Sequence, residues 1–393
     1  MKIGMILDAP FPTDPRVSNE ASALINAGHE VFLFCISFKK DFKRNDILNS
    51  IKVKRYYCSK LLYKFSALAY TFPFYKYFMS RKISHFIKEN EIEHLHIHDI
   101  QIASSVFHAN KTNIPTTLDL HENRPEIMKF YKHVNSNLGK ILISPKKWKI
   151  AEEKYIKLSD NVIVVTKAAK DEISKRISIE SKKITVYPNT VKKQFYKNHD
   201  LNNSIINRFK SKFVLLYLGN TSKRRGLDMV INSIVTLKNL IPNLMLVVVG
   251  SSSYDNSLKS LVIKNKVKDF VSFEGWKNET EFPSYLSIAN IGISPLTSNI
   301  HHDTTYANKI FQYMSFGCPL ICSDVLAQKE IIEKYKVGEL FKTENSNDFS
   351  KTVLELYKNS EKLKTYSLNC KIAIENHLNN EIVSQQIVSM YAK

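Results

Sequence analysis

Two short stretches set cations where a backbone can come close to a ligand. In "YLGNTSKRRGLD", residues 217–228, a strand ends at Gly219, a polar turn through Asn220 follows, and Arg225-Gly226 opens a helix. Glycine leaves room for a ligand, a helix N-terminus favours a phosphate, and a guanidinium can grip a diphosphate in two places. In "TTYANKIFQYMSFGCPLICSD", residues 304–324, Ile310, Phe311 and Met314 recur at helical spacing and make one buried face. Thr304, Asn308 and Gln312 recur every four residues on another face, with Lys309 beside them. A structural helix normally carries charged pairs on its free side, so this one is arranged around something polar other than water. Asn308 and Lys309 fall in its first turn, where anions are favoured. Gln312, one turn further in, has an amide that suits vicinal hydroxyls such as those of a ribose. Gly317 sits where a C-cap belongs, Pro319 forbids continuation, and "PLICSD" reads as a short buried strand. With Gly250 in "VVVGSSS", the two helix starts outline a nucleotide-diphosphate pocket; the plain alternative is a solvated polar face.

A second chemistry competes for attention. His94, His96 and His98 alternate in "HLHIHD", so all three point to one face of a strand. Imidazoles so spaced stand about 7 Å apart on a straight strand, too far for three to share one zinc at roughly 2.0–2.1 Å. "HEN" lacks the second histidine of a zincin, because Pro125 stands in its place. No metal site is expected.

The elements that must position these groups alternate short apolar strands with amphipathic helices. "KIGMIL" and "EVFLFC" flank a helix from about Val17 to Ala27, stopped by Gly28, and "HLHIH", "PTTLDL" and "NVIVVT" continue the series. That βαβ pattern predicts an α/β fold with a mostly parallel sheet covered on both faces. It breaks near Pro188 in a polar, Asn- and Lys-rich stretch and restarts with "KFVLLYLGN". The expected organisation is a Rossmann-like domain over 1–190, a linker over 191–212 and a second doubly wound domain over 213–368. A C-terminal helix over 369–393 is expected to pack back on the first domain. Such sheets bind ligands beyond the carboxyl ends of their strands, so the loops after "MILD", "LDL", "YLG", "VVVG" and "SPL" are expected to face one cleft.

The chain has 393 residues and a formal charge of +20, unevenly spread. Between Phe38 and Lys88 there are 13 Lys or Arg against two Asp or Glu, interleaved with Tyr and Phe. That mixture suits an anionic membrane surface; it also suits single-stranded nucleic acid, or reflects composition alone. Five scattered cysteines, odd in number and mostly in apolar runs, read as reduced core thiols of a cytoplasmic protein. "MKIGMILDAPFP" does not resemble a signal peptide, and Phe65 to Tyr75 is too short to cross a bilayer.

Taken in order, these motifs resemble those of the family-4 retaining glycosyltransferases of the GT-B fold, over nearly the whole chain. The family's G-R-x-x-x-x-K-G looks like Gly219-Asn220 through Arg225-Gly226, with Asn220 for its first basic residue and Arg225 for its lysine. "NKIFQYMSFGCPLICSD" is similar to NK-x-x-E-YMA-x-G-x-P-V-I-x-S-D, with Thr304 and Gln312 where the family pairs glutamates. "VYPNTV" resembles V-x-P-N-G-V, with Thr190 for glycine. In the first half the family's loop is similar to "DAPFPTDPRVSNEASALINAGHEV", where Asp14-Pro15-Arg16 replace a Gly-Gly, and "HLHIHDI" and "TTLDLHENRPE" resemble its strand-end motifs. The resemblance implies a nucleotide-diphospho-sugar as co-substrate, a glycan or lipid-linked acceptor, retention of configuration and no required metal or other cofactor. It places His121 near the transferred sugar and Asp14, Arg16, Asp99 and Glu122 on the acceptor side. Gly219, Asn220, Gly226, Gly250, Thr304, Asn308 and Gln312 are then donor-binding, and Arg225 and Lys309 stabilise the leaving diphosphate. Surface polysaccharide or glycoconjugate synthesis at the inner face of the membrane is the expected setting. The competing readings are a catalytically weak accessory protein of the same fold, motivated by the missing glutamates, and a nucleic-acid-binding protein, motivated by the charge.

Overall fold

A computed structural model describes residues 1–392 as two compact units, Met1–Pro188 with the chain's end from Ser384, and Asn189–Val383. The first is built on β1 (Lys2–Leu7), β2 (Glu30–Ser37), β3 (Asn45–Leu48), β4 (Ile51–Tyr57), β5 (His94–His98), β6 (Thr116–Leu120), β7 (Asn161–Val164) and β8 (Ile184–Val186). Their order is β3-β4-β2-β1-β5-β6-β7-β8, parallel except for β3 against β4. The second holds β9 (Phe213–Leu218), β10 (Leu244–Val249), β11 (Val271–Gly275), β12 (Ile291–Ser294), β13 (Leu320–Ser323) and β14 (Gly338–Phe341). They run parallel in the order β11-β10-β9-β12-β13-β14, the doubly wound arrangement. Both sheets switch direction beside their first strand, at β1/β5 and at β9/β12. The ends of those four strands are therefore where a crevice forms within each unit.

The central strands are buried on both faces, which is why they read as continuous apolar runs. Helix Pro15–Asn26 starts on an Asp14 cap, whose carboxylate accepts the Arg16 amide at 2.9 Å, and Gly28 turns the chain out of it at φ +86°. The β3–β4 hairpin was not apparent from sequence. Its turn at Asn49-Ser50 uses positive φ without a glycine, and its Lys and Arg read as surface charge. Much of that charge is paired: Lys52 with Glu30, Arg55 with Asp46, and Lys54 with Glu89.

Three expectations change. Helix Lys309–Ser315 starts at Asn308 as expected, but Thr304 is not on it: Thr304 closes the separate helix Ile300–Asp303, and Tyr306 and Ala307 turn inward between the two. The stretch expected as a bare linker contains helix Asn203–Phe209, which buries Ile205 and Phe209 in the second unit's core. Of residues 369–393, those up to Val383 stay with the second unit, where helix Ser360–Asn376 buries Cys370, Ala373 and Ile374; Ser384 onward joins the first, and Lys393 lies outside the described residues.

Candidate active site

In the second unit, β9 delivers Gly219 and the loop behind it, and β12 delivers the Pro295 loop. Gly226, at φ +73°, caps helix Leu227–Leu237, and a side chain there would strike the Pro295 carbonyl at 1.9 Å. Gly250, at φ +137°, lets the end of β10 reach within touching distance of Gly219, whose carbonyl a Cβ would meet at 1.9 Å. Thr221 hydrogen-bonds Ser252 at 3.0 Å and also Asp255, tying the two loops together. The Asn220 side chain accepts the Ser222 amide at 2.9 Å and shapes the turn that presents Arg225.

Lys309 is the unusual group. It is only 8% exposed, its Nζ lies 3.3 Å above the Tyr217 ring, and it faces Gly219. Neither Lys309 Nζ nor Arg225 Nε has a hydrogen-bond partner, and neither residue makes an ion pair among the described residues. Burial pushes the Lys309 pKa well below the usual lysine range, and the nearby Arg225 charge pushes the same way. His302, held to about 4 by burial, is neutral at physiological pH: its ring contacts the Thr297 carbonyl at 2.7 Å and Arg224 at 3.1 Å. A buried lysine near a half-buried arginine, without a carboxylate, is costly in a folded chain. The arrangement makes sense around a polyanion.

Around this centre, Asn308 is exposed at the head of Lys309–Ser315 and Gln312 is half-buried on that helix. Thr304 does not join them. It is buried, and its hydroxyl donates to the Ile300 carbonyl at 2.7 Å, closing the preceding helix.

In the first unit, Asp99 ends β5 at φ 71° and ψ 154°, a conformation that non-glycine residues rarely adopt. Its carboxylate caps the Ile100 amide at 2.8 Å and accepts Arg124 Nε at 3.0 Å, while Glu122 lies 3.3 Å from the same guanidinium. His121 is mostly buried, with Nε2 2.9 Å from Asp119 and Nδ1 3.5 Å from Asp14. Arg16 departs from expectation. It is buried and bonded to Asp119 at 2.6 and 2.8 Å and to the Tyr187 carbonyl at 2.9 Å, so it braces the site instead of meeting an acceptor.

The three strand histidines also part company. His94 bonds Thr117, His96 lies between Glu20 and Tyr391, and His98 sits 3.1 Å from His121. The expected 7 Å spacing does not hold, since the His96 and His98 rings tilt to a centroid distance of 4.6 Å. Glu20, His96, His98 and Asp119 come together within 4.8 Å, but the Arg16 guanidinium already bridges the two carboxylates. Sequence reading also passed over Asp8, at the end of β1. It is buried, bonded by Tyr75 and by Gln101 at 2.9 Å, and lifted by that burial to a pKa of about 7. Its position directly after an apolar strand was the available clue.

Comparison with known proteins agrees with this geometry. Residues 16–195 match the Glycosyltransferase Family 4 model, and residues 199–371 match Glycosyl transferases group 1. An uncharacterised glycosyltransferase of Methanocaldococcus jannaschii is 23% identical over 57% of this chain and 56% of its own length. Spore coat protein SA of Bacillus subtilis is 22% identical over 46% and 49%. The chain thus spans about half the length of the curated relatives it matches. Sucrose-phosphate synthase from Thermosynechococcus elongatus superposes with a TM-score of 0.77 at 15% identity, over 100% of this chain and 98% of that one. Anabaena HepE, solved in complex with UDP, gives 0.73 at 14% over 100% of both. With one model on each half and the doubly wound sheets to match, the chain belongs to the GT-B glycosyltransferases of the family-4 and group-1 type.

Proposed function

We propose that this protein moves a sugar from a nucleotide-diphospho-sugar to a glycan or lipid-linked acceptor with retention. The observation that carries the donor half is the pair Arg225 and Lys309 at the β9/β12 switch point, which form no ion pair among the described residues. HepE, with UDP and with UDP-glucose in its structures, supports a nucleotide-sugar as the donor class. In this scheme Arg225, Lys309 and the backbone after Gly219 stabilise charge on the departing diphosphate. The bond from the sugar's anomeric carbon to the phosphate oxygen breaks, the bond to the acceptor oxygen forms on the same face, and the acceptor proton passes to that phosphate oxygen. No step requires a metal or another cofactor. His121 hydrogen-bonds the transferred sugar, and Asp14, Asp99 and Glu122 serve the acceptor side. A thermal-shift panel of UDP, GDP, ADP and CMP sugars tests the donor: one class should raise the melting midpoint. No response to any of them, with tight and salt-steep binding to oligonucleotides, would favour the nucleic-acid reading.

Gln312 replaces a family glutamate, and its amide is proposed to hold ribose hydroxyls. Gln312→Glu is expected to be tolerated within roughly tenfold, whereas Gln312→Leu leaves those hydroxyls unpaired and raises the donor KM. An unchanged KM in the leucine variant removes Gln312 from the nucleotide site.

The setting proposed is the anionic inner face of a membrane, for surface polysaccharide or glycoconjugate synthesis. No helix among the described residues is long and apolar enough to cross a bilayer. Residues 57–88 contain six Lys or Arg and no acid, and so do residues 127–151. The two stretches touch, through Thr71 donating to the Leu142 carbonyl at 2.8 Å and Tyr70 edge-on to Trp148 at 5.0 Å. Leu61, Phe74, Leu138 and Ile141 stand out from them, 66–76% exposed. Basic charge around protruding apolar side chains suits shallow insertion, each Lys contributing about 1 kcal/mol near an anionic surface. Cosedimentation with anionic vesicles at low salt is expected, and loss of it when Lys60, Lys64, Lys140 and Lys147 become Glu. Equal recovery with neutral vesicles, or none with either, would return the charge to compositional bias.

A further inference from the structure

Beneath His121 lies a polar network that the transfer scheme leaves unused. Asp119, fully buried on β6, has Oδ2 2.9 Å from His121 Nε2 and receives two bonds from Arg16. Arg16 is itself immobilised: Glu20 lies 3.0 Å from its Nε, the Tyr187 carbonyl takes NH1 at 2.9 Å, and the Tyr187 ring lies 4.6 Å from its guanidinium. Glu20 continues to His96 at 3.0 Å, and His96 to the Tyr391 hydroxyl at 2.6 Å. The charged and titratable groups facing His121 come from every neighbouring element. Asp119 comes from β6, His98 and Asp99 from β5 and its end, and Arg16 from helix Pro15–Asn26 with Asp14 as its cap. Nε2 is bonded to Asp119, whereas Nδ1 faces the Asp14 carboxylate at 3.5 Å, too long for a hydrogen bond. A protonated imidazole so placed donates from Nε2 to Asp119 and keeps its Nδ1–H to donate to a further acceptor.

We propose that Asp119 is a positioning residue for the reaction: clamped by Arg16, it fixes the His121 ring and makes it a two-sided donor and not a base. The consequence for a transferred sugar rests on the reading above, while the state of the ring does not. Burial alone would keep His121 neutral, but the Asp119 charge overrides it and lifts the pKa to about 9, whereas His98, buried alongside, is held to about 3. One positive charge is thus shared out to the outer ring of the pair. Because the folded value lies above the ordinary one of about 6.5, the stability this charge contributes is complete below that pH and is lost as pH rises through about 9.

The test is an NMR titration of protein carrying 13C-labelled histidine, without donor, with the His121 signal identified by its loss in His121→Gln. A midpoint near 9 is expected. Asp119→Asn leaves Arg16 with Glu20 but without the other half of its carboxylate clamp, so the double variant Arg16→Gln with Asp119→Asn is measured beside it, and the midpoint should fall by at least two pH units. The alkaline limb of donor turnover should move down by the same amount, a change that mere loosening of the fold would not produce. A wild-type midpoint at or below 6.5, or an unmoved midpoint in the double variant, overturns the proposal. A wild type inert toward every nucleotide-sugar with its midpoint still near 9 would instead count against the transfer reading alone.

Discussion

Replacing Lys309 with methionine is expected to abolish the nucleotide-dependent rise in melting midpoint while leaving the free protein as stable as before, or more so. The two effects have one cause. Lys309 is almost fully buried without a carboxylate, so the folded chain bears the cost of desolvating its amine or of releasing its proton, and a bound diphosphate restores the charge. Methionine has nearly the same shape and can stay against Tyr217, giving up at most a cation–π contact of about 2 kcal/mol while removing that cost. Each kcal/mol moves the midpoint of a unit this size by about 2–4 °C. A fall of more than about 4 °C in the free protein would make Lys309 a structural residue; an intact nucleotide response would place the diphosphate elsewhere.

Arg225→Ala is expected to reduce transfer at least ~100-fold with the fold intact, the effect of losing one donor aimed at developing charge. Arg225 sits one residue before the Gly226 cap, half-buried, with no ion pair among the described residues, so its removal breaks no structural contact of that kind. The loss should fall mainly on kcat, since charge on the phosphate oxygen grows as the glycosidic bond breaks. Wild-type turnover with an unchanged donor KM would remove Arg225 from the diphosphate site.

What could be read in the chain alone follows range of interaction. Parallel strands such as β9 and β10 are buried on both faces and announce themselves as apolar runs, and Gly226 and Gly250 mark close approaches that only glycine allows. Arg16 was misplaced because its partner Asp119 is 103 positions away, and nothing local distinguishes a clamped arginine from one that meets a ligand. Thr304 kept the four-residue period but lost the helix, since the burial of Tyr306 and Ala307 overrode periodicity. His302 is neutral through burial and the charge of Arg224 far behind it in sequence, against a carbonyl five residues earlier that favours its charged form. Such roles arise from packing, which a one-dimensional pattern does not carry.

The central claim, a diphosphate seated on Lys309 and Arg225, is tested most directly by calorimetry with the nucleoside diphosphate of the preferred donor, in buffers of different ionisation enthalpy. Lys309 has a depressed pKa while the site is empty, and a diphosphate raises it again, so binding must take up protons. The account predicts one-to-one binding with net proton uptake, weakening by up to ~10-fold per pH unit above the free-state pKa of Lys309, and loss of that uptake in Lys309→Met. Binding without proton uptake, or uptake that persists in the methionine variant, would contradict it.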